Sequence, residues 1–342
     1  MDSIRIFGYK SFKKLSVQLH SINLLIGANG AGKSNFLSLF EMLGNIYEKR
    51  LGAYVAQVGG VDKLLYQGRK VTDRIAVNLL TAKREYDLEL LESDGKLIVE
   101  REVVHCYDDV CPLDLVRKNV ITEFQSESSL KDHKEEDLSN YISQIRKFHF
   151  HDTGRRSPFT ADSHIVNDAY RMYEHGEKLA AILYRIQREK PVAYRRIIRV
   201  IQSVAPYFSD FYFQPTEADM VRLQWQDKYS SMIYGPTDLS DGTIRFIALT
   251  VLFMQPWLPR VIIIDEPELG LHPVAIEKLS GLIKMAAQKG TQVIVATQSA
   301  ELISNFEPED VLTVNQNQDG TTINRLNSEE LAHWSVTRAY QQ

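Results

Sequence analysis

The pattern of apolar and polar positions predicts that the chain opens as short strands. Ile4 to Phe12, Leu15 to Leu19 and Ile22 to Ile26 are β-type runs separated by Lys13-Lys14 and His20-Ser21. The third run ends at Gly27. From Lys33 the apolar residues Leu37, Phe40 and Leu43 fall at helical spacing, so a strand, a glycine-rich loop and a helix succeed one another. Between residues 70 and 104 alternation returns around a turn at Ser93-Asp94-Gly95, which predicts antiparallel strands at Ile75 to Leu80 and Leu97 to Val104. Residues 126–137 are polar apart from Leu130 and read as a solvated loop or helix start.

The period changes to helical between Ile165 and about Phe208. Leu179, Ile182, Leu183 and Ile186 share one face, and Tyr194, Ile197, Ile198, Ile201 and Val204 repeat that face after Pro191. Beyond Ser240 the chain alternates helix (Ile244 to Phe253), buried strand (Val261 to Ile264), helix (Val274 to Gln288) and strand (Gln292 to Ala296). That order builds a parallel sheet, so the C-terminal half is expected to return to the N-terminal strands. The expected organisation is an N-terminal lobe over 1–120 with an antiparallel β-subdomain, a helical insertion over 121–235, and a C-terminal lobe over 236–342. No internal repeat interrupts it.

Composition narrows the class. A length of 342 residues suits about two folding units. Apolar residues at 44% and charged residues at 25% argue against wholesale disorder. A net charge of -4 supplies no global field for nucleic acid or anionic lipid, so such contact would need a local patch. Cys106 and Cys111 are too few for a structural zinc site or a disulfide framework, which points to a reducing, cytoplasmic setting. The most apolar run, Phe246 to Met254, is about half the roughly 20 residues of a membrane-spanning helix, and the start lacks a signal-peptide apolar region. No membrane contact is expected.

Gly27-Ala-Asn-Gly-Ala-Gly-Lys33-Ser34 fits G-x-x-x-x-G-K-[ST] in the strand-loop-helix setting that a phosphate-binding loop needs. The glycines let successive N–H groups face phosphate oxygens, Lys33 can reach the β- and γ-phosphates, and Ser34 can give an oxygen to Mg2+. Asn29, Gly30, Gly32, Lys33, Ser34 and Asn35 form the candidate nucleotide-binding set. Val261-Ile-Ile-Ile-Asp265-Glu266 places two acids at the C-terminal edge of a parallel sheet, where open α/β folds bind ligands. Asp265 is the candidate metal residue, acting through water, and Glu266 the candidate base for an attacking water.

With Leu239-Ser-Asp-Gly-Thr243 upstream and Glu266-Pro-Glu-Leu-Gly-Leu-His-Pro273 downstream, the chain resembles an ABC-type ATPase head of the SMC, RecF and OLD-nuclease group. It is most similar to that group's compact stand-alone bacterial ATPases, and Phe150-His-Asp-Thr153 extends the likeness. The resemblance implies an α/β fold, a P-loop head with a parallel core sheet, and ATP with Mg2+ as cofactors. It further implies a homodimer in which Ser240, Asp241 and Gly242 of one copy meet the γ-phosphate held by the other. Independently of that likeness, Ser240 before a helix can cap its N-terminus, with Asp241 in the first turn.

Two positions depart from the group. A switch histidine is usual after the last core strand, whereas Ala296-Thr297-Gln298-Ser299 puts Gln298 there. A glutamine can orient a water but cannot become an imidazolium, so slow turnover is expected. For the group's lobe-connecting glutamine, which reaches the metal, Gln57 ahead of Gly59-Gly60 and Gln67 after Leu64-Leu65-Tyr66 both fit, with Gln57 preferred. Arg185, Arg188, Lys190, Arg195, Arg196 and Arg199 stand against one acid, Glu189, as a solvated face or as a contact for a nucleic-acid backbone or an acidic protein. His149 and His151 alternate in a strand-like run and are read as structural rather than as zinc ligands. The resulting expectation is an ATPase whose closing heads work on DNA, in anti-phage defence or DNA maintenance. The alternative is a nucleotide-controlled subunit holding a separately encoded effector nuclease or toxin, with the tail from Trp334 to Gln342 as a partner surface. A transporter subunit is the weaker third reading.

Overall fold

The computed structural model describes residues 1–106, 117–133 and 136–326; Cys111 and the tail from Trp334 to Gln342 lie outside them. The N-terminal stretch forms β1 (Ser3–Tyr9), β2 (Phe12–Gln18), β3 (Ile22–Ile26), α1 (Lys33–Tyr47), α2 (Leu51–Gln57), β4 (Arg74–Leu80), β5 (Arg84–Ser93), β6 (Lys96–Cys106), β7 (Arg117–Gln125) and α3 (Glu136–Ser143). Next come β8 (Ile145–Phe148), β9 (Ser163–His164), α4 (Leu179–Glu189), α5 (Pro191–Val204), β10 (Phe208–Tyr212), β11 (Met220–Val221), β12 (Gln224–Asp227) and β13 (Ile233–Tyr234). The remainder is α6 (Asp241–Met254), β14 (Val261–Asp265), α7 (Pro273–Gln288), β15 (Gln292–Thr297), α8 (Ala300–Ile303), β16 (Val311–Asn317) and β17 (Gly320–Arg325). The chain divides into two compact units, residues 1–145 with 307–342, and residues 146–306.

In the first unit an antiparallel sheet runs in the order β2-β1-β4-β5-β6-β7. Its strands alternate: Ile4 and Ile6 of β1 are buried while Arg5 and Phe7 face out, as a sheet with one covered face requires. The first turn lies at Lys10-Ser11, because Tyr9 pairs with Phe12, so Phe12 to Lys14 belong to the second strand rather than the first. Lys10, with φ 47°, makes that reversal, and the apolar pattern alone could not place it. β3 is buried along almost its whole length, as a strand covered on both faces must be. It pairs in parallel with β16, Leu24 opposite Val311, and β17 folds back antiparallel on β16. The C-terminal segment therefore does return to the N-terminal strands, through a hairpin that the sequence pattern did not reveal.

The second unit contains the parallel pair β14 and β15, with Ile263 opposite Ile294, and β8 beside β14. Both strands are apolar runs that end in polar residues at their carboxyl edges. α6 is buried from Ile244 through Phe253, so it is a core helix rather than a surface one. α4 and α5 bury the apolar stripes described above. Among the described residues no helix is long and apolar enough to cross a membrane.

Candidate functional site

Within the first unit the loop from Gly27 to Gly32 leaves β3 and enters α1. Gly32 precedes the first helical residue with φ 114°, and a Cβ there would come within 2.5 Å of Thr321 Oγ1, so the position demands glycine. Thr321 of β17 donates to the carbonyl of Ala31 over 2.9 Å, so the C-terminal hairpin buttresses the loop. α1 has no side-chain cap and no acid in its first turn, whereas α6 and α8 are capped by Ser240 and Ser299. A helix start without a side-chain cap or an acid is the kind of N-terminus at which an anion is favoured.

The buried Lys33 ammonium donates to the carbonyls of Gly27 (2.6 Å) and Ala28 (3.1 Å), which holds a cation at the loop. Ser34, Asn29 and Gly30 are exposed, and Asn35 donates to Ser11 Oγ over 2.9 Å. This arrangement fits a phosphate chain: backbone donors, one positioned ammonium and an exposed hydroxyl for Mg2+. Beside it is a cavity of about 870 Å³ lined by Lys10, Ser11, Asn35, Lys63, Gln67 and Arg69 among others. Gln67, with φ 55°, lines that cavity, while Gln57 ends α2 with an exposed side chain and does not.

Within the second unit the acids stand at the end of β14. Glu266 has φ 43°, a left-handed backbone that an L-residue seldom adopts. Its N–H donates to the carbonyl of Ala296 over 2.8 Å, which fastens the turn to β15. The Gln298 side-chain amide donates to Glu266 Oε1, so the candidate switch residue and the candidate base are joined directly. Ser240 Oγ accepts from Thr243 N–H at 3.2 Å; its capping role is therefore observed, and its side chain is exposed together with Asp241. A Cβ on Gly242 would collide with the carbonyl of Gly270, so α6 and the loop after Glu266 approach backbone to backbone.

Arg245 and the role of Glu268 escaped the sequence reading, and the His149–His151 pair was read there only as structural. Arg245, buried on α6, donates to the carbonyls of Phe150 (2.8 Å), His151 (3.0 Å) and Leu269, tying the capped helix to the loop that follows the acids. His151 Nε2 lies 3.3 Å from the Asp265 carbonyl oxygen, and the His149 and His151 rings are 3.8 Å apart, so this pair sits at the acidic edge. Glu268 is buried behind that edge. The Phe150-His-Asp-Thr153 run was a usable signal for Arg245 and the histidine pair, since it belongs to the stated resemblance. Among the described residues no cluster of His, Cys, Asp and Glu could hold a metal ion by itself.

Burial, helped by His151 and His175, pushes His149 down to about 4 from 6.5. The unfolded chain therefore takes up a proton first as pH falls, and stability present above pH 6.5 is expected to decline toward pH 4. Thermal melts at pH 7 and pH 5 check this. His149→Gln should flatten the decline, and an equal decline in both proteins would assign it elsewhere.

Residues 1–157 match the family described as "AAA ATPase domain", and residues 235–304 match the one described as "AAA domain, putative AbiEii toxin, Type IV TA system". Over 73 residues the chain is 37% identical to the energy-coupling factor transporter ATP-binding protein EcfA2 of Latilactobacillus sakei, covering 21% of this chain and 24% of that protein. Over 71 residues it is 35% identical to the Old nuclease of Escherichia phage P2, covering 21% of this chain and 12% of that protein. The matched stretches thus span a quarter or less of these relatives.

Among solved structures, the SMC head bound to the C-winged helix domain of ScpA aligns with a TM-score of 0.65 at 16% identity, covering 97% of this chain and 99% of that one. A Pyrococcus furiosus SMC head with an extended coiled coil, bound to the C-terminal domain of ScpA, aligns at 0.57 with 13% identity, covering 100% and 99%. The fold is the mixed α/β P-loop fold of an SMC head, with a parallel core sheet and an antiparallel sheet. The chain carries ATPase-domain segments, and a P-loop ATPase binds ATP with Mg2+.

Proposed function

We propose that this chain binds ATP with Mg2+ and hydrolyses it slowly, as one half of a head-to-tail homodimer that encloses two nucleotides. The observation that carries the reading is the Glu266–Gln298 contact, a base turned out of its strand by a left-handed backbone and held by an amide suited to orienting water. Lys33 and the opening N–H groups of α1 bind the phosphates. In the first unit the Ser34 hydroxyl would supply an oxygen to Mg2+, which would neutralise charge on the phosphates, and Gln67, on the wall of the cavity beside the loop, is read in place of Gln57 as the lobe-connecting glutamine. In the second unit Asp265 would act on the metal through water. Glu266 takes the proton of the attacking water, while Gln298 aligns that water. Ser240, Asp241 and Gly242 are exposed or half-buried at the start of α6, which suits a role toward a second copy. Calorimetry with a non-hydrolysable ATP analogue, and light scattering with and without it, test both halves of the reading. No uptake, or uptake with no dimer, would overturn the corresponding half.

Closure acts on DNA through the basic face of the helical segment. Arg185 is already engaged: it pairs with Glu189 at 3.0 Å and stacks 3.9 Å from the Trp257 ring centre, so it is withdrawn from the contact set. Arg188, Lys190, Arg195, Arg196 and Arg199 are exposed, and among the described residues none is in an ion pair. Reversing Arg195 and Arg199 to Glu is expected to weaken duplex DNA binding about tenfold or more and to reduce the slope of log affinity against log salt by about 2. Unchanged affinity and slope would leave these residues as a solvated face.

A second reading is favoured by the descriptions of the matched proteins, a toxin-system family and a phage nuclease. In it the same ATP-driven closure holds or releases a separately encoded effector nuclease or toxin. Co-purification under nucleotide-free and ATP-bound conditions separates the two readings.

A further inference from the structure

The loop after the two acids reverses tightly: Leu269 N–H donates to the Glu266 carbonyl over 3.2 Å and Leu271 N–H to the Glu268 carbonyl over 2.9 Å. That reversal carries the Glu268 side chain inward, where only 9% of the residue remains exposed. A carboxylate at such a depth is costly unless donors surround it. Here they reach one of its two oxygens: Thr297 Oγ1, Gln298 N–H (3.3 Å) and Ser299 N–H (3.3 Å) all donate to Glu268 Oε1, while Oε2 is buried with no hydrogen-bond partner among the described residues. Ser299 N–H also donates to Thr297 Oγ1 at 2.9 Å, and Ser299 Oγ accepts from Leu302 N–H at 3.1 Å. One carboxylate oxygen therefore gathers the whole strap between β15 and α8. The Gln298 side chain leaves that strap toward Glu266 Oε1.

We propose that Glu268 is a positioning residue for hydrolysis, fixing the backbone of Gln298 so that its side-chain amide holds Glu266 in line with the attacking water. The inference rests on the reading of Glu266 as the base. The two opposing influences on Glu268 agree with a structural anchor under load: burial pushes its carboxyl upward, while the strap donors hold it down. With the anchor removed, Gln298 keeps its chemistry but loses its fixed origin, and misplacing a reacting group by about 1 Å can cost about a hundredfold in rate.

The test is a double-mutant cycle on the full-length chain, read as single-turnover ATP hydrolysis together with ATP affinity by calorimetry. Glu268→Gln keeps the shape and one carbonyl acceptor but removes the charge that strengthens the three strap bonds, so the anchor is loosened rather than lost; it is expected to slow hydrolysis about tenfold while ATP affinity stays within about threefold. Gln298→Ala is expected to slow hydrolysis by a similar factor. The double variant should be no more than about threefold slower than the slower single, because both changes remove one device.

A product of the two single effects, an unchanged rate for Glu268→Gln, or a loss confined to affinity would each overturn the inference while leaving the hydrolytic reading intact. ATP uptake without any hydrolysis by the unsubstituted protein would overturn that reading and the inference with it. Should Glu268→Gln lack a cooperative melting transition, Glu268→Asp carries the same cycle. A shortened carboxylate that still folds is expected to retain part of the rate, and full retention beside an additive double variant would again overturn the assignment.

Discussion

Lys33→Ala is expected to weaken ATP binding by at least about a hundredfold, which corresponds to about 2.7 kcal/mol of charge-assisted hydrogen bonding. The ammonium is buried and already aimed into the loop by its bonds to Gly27 and Ala28, so little ordering remains to be done when a phosphate arrives. Alanine removes the positive charge and leaves two loop carbonyls without their donor. The two effects separate by measurement: a modest fall in melting temperature reports the loop, whereas calorimetry with a non-hydrolysable analogue reports the phosphate contact. Lys33→Met fills the same volume and should lose binding to a similar degree. Affinity within threefold of the parent in both variants would remove the loop from nucleotide recognition.

Glu266→Gln is expected to lower hydrolysis by about a hundredfold to ten-thousandfold, the range for loss of a general base, with ATP affinity retained. Glutamine preserves shape and can still accept from the Gln298 amide through its carbonyl oxygen, so the turn at φ 43° is kept while the proton acceptor is lost. Because binding survives and turnover does not, ATP-bound dimers should accumulate. Phosphate release and light scattering follow the two consequences. A variant that hydrolyses at the parent rate would assign the base elsewhere, and one that hydrolyses slowly yet remains monomeric with ATP would separate the chemistry from closure.

The phosphate loop was legible because its physical requirements are local. A strand, a glycine-rich loop and a helix start follow one another within residues 22 to 35, and the eight residues from Gly27 to Ser34 carry the loop's own pattern. Long elements were legible for the same reason. α4 and α5 follow their apolar stripes, and the parallel strands appear as continuous runs of Ile and Val. The Lys10-Ser11 turn was not, since Phe12 continues the apolar pattern across it and only pairing of Tyr9 with Phe12 fixes the reversal. β16 and β17 were missed because Asn315, Gln316 and Asn317 dilute the alternation. Their place beneath the loop depends on Thr321 meeting Ala31, 290 positions earlier in the chain.

The sequence by itself determined the class of chemistry: a phosphate loop, two acids at a strand end and a helix capped by Ser240. Each is a statement about neighbours in the chain, and side-chain types at fixed spacing are enough to make it. Only the tertiary structure decided how those groups are held. The left-handed turn at Glu266, the bond from Gln298, the carboxylate of Glu268 under the strap and the withdrawal of Arg185 into an aromatic stack all join residues distant in sequence. Such contacts follow from how the elements pack, and packing is set by the whole core rather than by any short run of residues.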